Sequence, residues 1–221
     1  FSPLEKYGLY AILTNCCVQM YDRGVSKFSK ECFEIYRIMF EKNLFAACPG
    51  FFSMTTFTAV VLTGLNTKEF EWIEKFIYEY SEKLNPEHKA DAMNYGLAQL
   101  NFMKGNFNES LHFISKTNTE FSNFKFQLRM LQLKNYFELG DYDSLYYALD
   151  SFSHFLNKNK LVGEIYKNEF NNFIRILDLL VKYKLEKSDD LFCKIKKQLQ
   201  GKAIASKLWL QTKFENNPQM K

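Results

Sequence analysis

Apolar residues recur three or four positions apart along almost the whole chain, and no stretch holds a period of two. Phe28, Cys32, Ile35, Tyr36, Met39 and Phe40 form one such series. Phe70, Ile73, Phe76, Ile77, Tyr80 and Leu84 form another, and Phe170, Phe173, Ile174, Leu177 and Val181 a third. Steps of three and four place side chains on one stripe of a helix, whereas a half-buried strand needs alternation. The chain is therefore expected to be all-α. Glycine and proline are few, at 9 and 4 of 221 residues, which excludes a β architecture with a turn every ten residues.

Helix ends carry their own signals. Ser2-Pro3-Leu4-Glu5 reads as an N-cap, a first-turn proline and a carboxylate that reaches back to the cap. Asn66 with Glu69 and Asn106 with Glu109 repeat that spacing, and Asn85-Pro86 opens another helix. Gly24, Gly64, Gly105 and Gly140 each follow an apolar helical run, where glycine accepts the left-handed turn that ends a helix. These marks predict helices over 3–22, 26–43, 49–63, 67–84, 87–104, 107–117, 121–139, 142–157, 161–185 and 189–214, the last with a break at Gly201. Short connections predict antiparallel hairpins, about five pairs in a single domain over 1–221.

Two segments match each other. Phe102-Met-Lys-Gly105-Asn106-Phe107-Asn and Phe137-Glu-Leu-Gly140-Asp141-Tyr142-Asp share a pattern whose glycines lie 35 residues apart, close to the period of a two-helix repeat. The aromatic before the glycine closes one helix in the core, and the aromatic after it opens the next helix and packs back. On these residues the chain resembles the tetratricopeptide repeat family, whose turn pattern Gly-[Asp/Asn]-Tyr matches Gly105-Asn106-Phe107 and Gly140-Asp141-Tyr142. Pro86 resembles the proline that opens a repeat. The likeness covers residues 87–157 best. Ser110 and Leu145 stand at the family's small position on the second helix, and Asn94 and Arg129 at its early tryptophan, so the repeats are degenerate. The texture is also similar to helical-repeat regions of larger bacterial proteins. The resemblance implies helix pairs stacked as an α-α superhelix, a TPR-like solenoid.

Composition excludes several classes. With 23 Phe and 13 Tyr the chain has ample apolar area to fold. Five cysteines, an odd number without C-x-x-C spacing, are expected to be buried, reduced thiols of a cytoplasmic protein. The first residue is Phe rather than Met, which predicts a longer or trimmed parent chain. Asn43 to Thr67 contains no charge, but Pro49-Gly50 and a run of threonines interrupt it, so it is expected to be a buried central helix rather than a membrane span.

Catalytic chemistry finds no motif. His88, His112 and His154 have no metal-ligand spacing, so they are expected at the surface or between repeats. Cys16-Cys17 sit on an apolar run where a thiol stays neutral. Glu71 with Glu74 and Glu79 with Glu82 are expected on a solvated face beside Lys75 and Lys83. No glycine-rich phosphate loop occurs, and no cofactor or metal is expected.

The expected function is non-catalytic binding of a protein or peptide on a helical-repeat surface. By the resemblance, the first helices of the pairs 87–104 and 121–139 line the binding face, with Asn94, Asn101, Arg129, Lys134 and Asn135 presented to the partner. An alternative rests on charge. Residues 1–181 carry 19 basic and 21 acidic side chains, while 182–213 carry nine lysines against three acids. Lys194, Lys196, Lys197 and Lys202 form the densest cluster. This segment is either a polar cap, docked through Ile204, Leu208, Trp209 and Phe214, or a basic surface for nucleic-acid phosphates.

Overall fold

The computed structural model describes residues 1–22, 25, 27–117, 122–159, 162–201 and 203–216. Among them are eleven α-helices and no strand: α1 (Pro3–Asp22), α2 (Lys27–Glu41), α3 (Met54–Asn66), α4 (Phe70–Ser81), α5 (Lys89–Lys104), α6 (Phe107–Lys116), α7 (Ser122–Leu139), α8 (Tyr142–Lys158), α9 (Glu164–Glu186), α10 (Asp189–Leu199) and α11 (Lys207–Glu215). Two short 3-10 turns, Leu44–Ala47 and Pro86–His88, precede α3 and α5. The helices gather into two compact units, residues 1–135 and 136–221, divided within α7.

Several ends fall where their chemistry places them. At the start of α1 the Ser2 N–H donates to Glu5 Oε2 (2.7 Å) and the Glu5 N–H to Ser2 Oγ (3.3 Å), a reciprocal cap. Gly105 and Gly140 adopt φ of +82° and +72°. The two turns make the same bonds. Asn106 N–H reaches Asn101 C=O and Gly105 N–H reaches Phe102 C=O; Asp141 N–H reaches Tyr136 C=O and Gly140 N–H reaches Phe137 C=O. Asp141 caps α8 through Ser144 N–H (3.1 Å), whereas Asn106 makes no side-chain cap.

Other ends differ from expectation. The helix predicted over 49–63 is α3, which begins later because Gly50 turns at φ +93° and Ser53 caps through Thr56 N–H. It also runs past Gly64, which is buried inside it rather than ending it. A Cβ at Gly64 would lie 2.3 Å from Ile73 Cδ1 and 2.8 Å from Phe33 Cε2, so glycine here permits close helix approach. Asn66 is the last residue of α3 and does not cap α4; its amide donates to Tyr21 Oη (3.2 Å). The turn is made by Thr67 and by Lys68 at φ +63°, with Glu69 N–H on Gly64 C=O. Gly24 lies outside the described residues.

From α1 to α6 each helix packs on the next, and α3 touches both α4 and α5. The core holds Phe33, Phe57, Val60, Leu65, Ile73, Phe76, Ile77 and Leu100. Phe40 gathers an aromatic cluster at its edge, with rings of Phe45, Phe52, Trp72, Phe76 and Tyr80 at 4.5–6.2 Å. The uncharged segment from Asn43 to Thr67 is thus a short turn, a loop and the buried helix α3. No helix among the described residues is long and apolar enough to cross a membrane.

In the second unit α9 packs against α8, α10 and α11. Phe152, Phe173, Ile176, Leu177, Val181, Ile195, Leu210 and Phe214 fill its core. The segment predicted as one helix over 189–214 is two, α10 and α11, with the break around Gly201 stitched to α9. Asn172 Nδ2 donates to Ala203 C=O (2.7 Å) and Ala205 N–H to Glu169 C=O (3.2 Å). Ile204, Trp209 and Phe214 face inward as expected, but Leu208 is half exposed.

All five cysteines are free thiols. Cys17 and Cys32 are buried, as expected, while Cys16 and Cys193 are exposed and Cys48 lies between. Adjacent helix positions are 100° apart, so Cys17 can face α2 only if Cys16 turns away from it.

Candidate functional site

The residues predicted to meet a partner separate once placed in the fold. Asn135 is fully buried, so it is not presented outward. Its amide donates to Ser110 Oγ (2.9 Å) and to Leu131 C=O (2.9 Å), and the Ser110 hydroxyl donates to Ala98 C=O (2.8 Å). Burial of a carboxamide is tolerated when it is hydrogen-bonded, and here it joins α5, α6 and α7. Ser110 of α6 therefore packs closely on α5, through a polar contact. Asn101 is also engaged locally: its amide donates to Leu97 C=O (2.9 Å), and its oxygen accepts from Asn106 Nδ2 (3.3 Å) across the turn.

Asn94 is half-buried and donates to Lys116 C=O at 3.4 Å, a weak contact that ties α5 to the end of α6. Arg129 and Lys134 on α7 are half-buried, and burial lowers the Arg129 pKa from its ordinary value. Of the predicted set, Asn94, Asn101, Arg129 and Lys134 are half-buried, and Asn135 alone is buried.

The structure adds a polar cluster on the same two helices. Tyr95 of α5 is fully buried, and its hydroxyl donates to Gln127 Oε1 of α7 (2.5 Å) while accepting from Gln99 Nε2 (3.2 Å). Desolvation pushes the phenol pKa well up, so it stays a neutral donor. Gln99 and Gln127 are half-buried. The phenol thus links the amide of Gln99 on α5 to the amide of Gln127 on α7. The sequence trace of this cluster is faint: a Tyr–Gln pair at i, i+4 and a Gln 32 residues after the Tyr.

The basic segment presents its charge outward. Ile195 and Leu199 of α10 are buried, and Lys194, Lys196 and Lys197 are exposed on the opposite side. Lys194 pairs with Asp190 (2.5 Å). Lys202 lies outside the described residues.

Other chemistry is sparse. No group of three or more metal-ligating side chains occurs among the described residues. His112 and His154 are exposed, the latter 3.5 Å from Asp150 Oδ1. The carboxylates on α4 serve as ion-pair partners: Glu79 to Lys83 (2.7 Å) and Glu74 to Lys104 of α5 (2.7 Å). An open cleft of about 470 Å³ at the start of α4 is lined by Lys68, Glu69, Phe70, Glu71, Trp72 and Lys75, two acids and two bases with no nucleophile among them. No protein-family model matches this chain, and no curated protein or solved structure matches it either.

Proposed function

We propose that this chain is a non-catalytic, TPR-like helical-repeat scaffold that binds a protein or an extended peptide. The observation that carries the reading is the Gln99–Tyr95–Gln127 cluster, in which one buried phenol ties together half-buried amides on α5 and α7, polar groups of the kind that bind a peptide main chain. Three features support it. The turns at Gly105 and Gly140 make the same bonds 35 residues apart. Helix α3 touches both its hairpin partner and the first helix of the next pair, as stacked repeats require. Arg129 and Lys134 add cationic surface on α7, suited to a carboxylate on the ligand.

The test is capture from lysate of the source organism on the immobilised chain, followed by the same capture with Gln99→Ala/Gln127→Ala. Loss of a captured protein in the double variant, with helical content unchanged, supports the reading. Capture that ignores the substitution moves the surface elsewhere.

A second reading is favoured by the outward lysines of α10: contact with nucleic-acid phosphates, in a regulatory module. Each phosphate contact should steepen the salt dependence, by about 0.9 in log K per log salt for duplex DNA. Lys194→Glu/Lys196→Glu/Lys197→Glu would then abolish binding, whereas a peptide held by amides would be indifferent to it.

A further inference from the structure

We draw no further inference here: the strongest candidate, the exposed apolar stripe of Leu9, Ile12 and Leu13 on α1, is a helix face for which nothing in the structure shows what covers it.

Discussion

Individual residues set how closely the helices can approach. Gly64 sits where α3 meets α4 and α2, and a methyl group there would overlap Ile73 and Phe33. Gly64→Ala gains about 1 kcal/mol of helix propensity and loses about 1–3 kcal/mol to overpacking, so a net loss of stability in urea unfolding is expected. A second residue ties stability to pH. Burial, with Cys17 close by, pushes the Cys32 thiol up to about 12 from an ordinary 9.0. Burial likewise pushes Tyr36 up to about 12 from 10.0. Both groups hold their protons more tightly folded than unfolded. Their stabilising contribution is therefore whole below pH 9 and is lost as pH rises toward 12. Cys32→Ala should be less stable at neutral pH, by about 1 kcal/mol, yet lose less between pH 9 and 10 than the native chain. Urea midpoints at pH 7, 9 and 10 check both signs.

At the scale of the element, what the sequence disclosed depended on how local the governing physics is. The reciprocal cap at Ser2 and Glu5 and the turns at Gly105 and Gly140 are settled within six residues, so they could be read directly. The helical character of every long segment followed from periodicity for the same reason. The end of α3 could not be read, because Gly64 looks like a terminator and is instead a packing residue, its role fixed by Ile73 and Phe33 from other helices. Asn135 looked like a presented amide for a similar reason: only the fold brings Ser110 to it. Two turns use lysine in the left-handed region where glycine is favoured, Lys68 at φ +63° and Lys187 at φ +51°. Lys68→Gly and Lys187→Gly should each stabilise by roughly 0.5–1 kcal/mol, and Gly105→Ala and Gly140→Ala should each cost about 1 kcal/mol. Thermal melts of the four variants give the comparison. The docking of α11 is argued at this scale too. Glu138 at the end of α7 accepts from Trp209 Nε1 (3.2 Å) and pairs with Lys213 (2.5 Å), with its carboxylate largely shielded from water. Glu138→Ala removes the acceptor that Trp209 and Lys213 share, so α11 should loosen at a cost of about 1–3 kcal/mol, read as a red shift of Trp209 emission in a Trp72→Phe background.

At the scale of the molecule the described residues form two compact units, and the two tryptophans divide between them. Trp72 stacks on Phe76 (5.4 Å) in the first unit, and Trp209 meets Phe137 edge-on (5.5 Å) in the second. The division between units falls inside α7, at no glycine, proline or charge run, and so leaves no mark in the sequence. Each unit has its own buried side chains, so a perturbation should weaken most the unit that contains it. Single-tryptophan chains made with Trp209→Phe or Trp72→Phe report each core separately. Adding Gly64→Ala should lower the urea midpoint seen by Trp72 more than that seen by Trp209, and adding Glu138→Ala should do the reverse. Equal shifts in both probes would mean that the chain unfolds as one cooperative body, and that the two cores are distinct in space but not in energy.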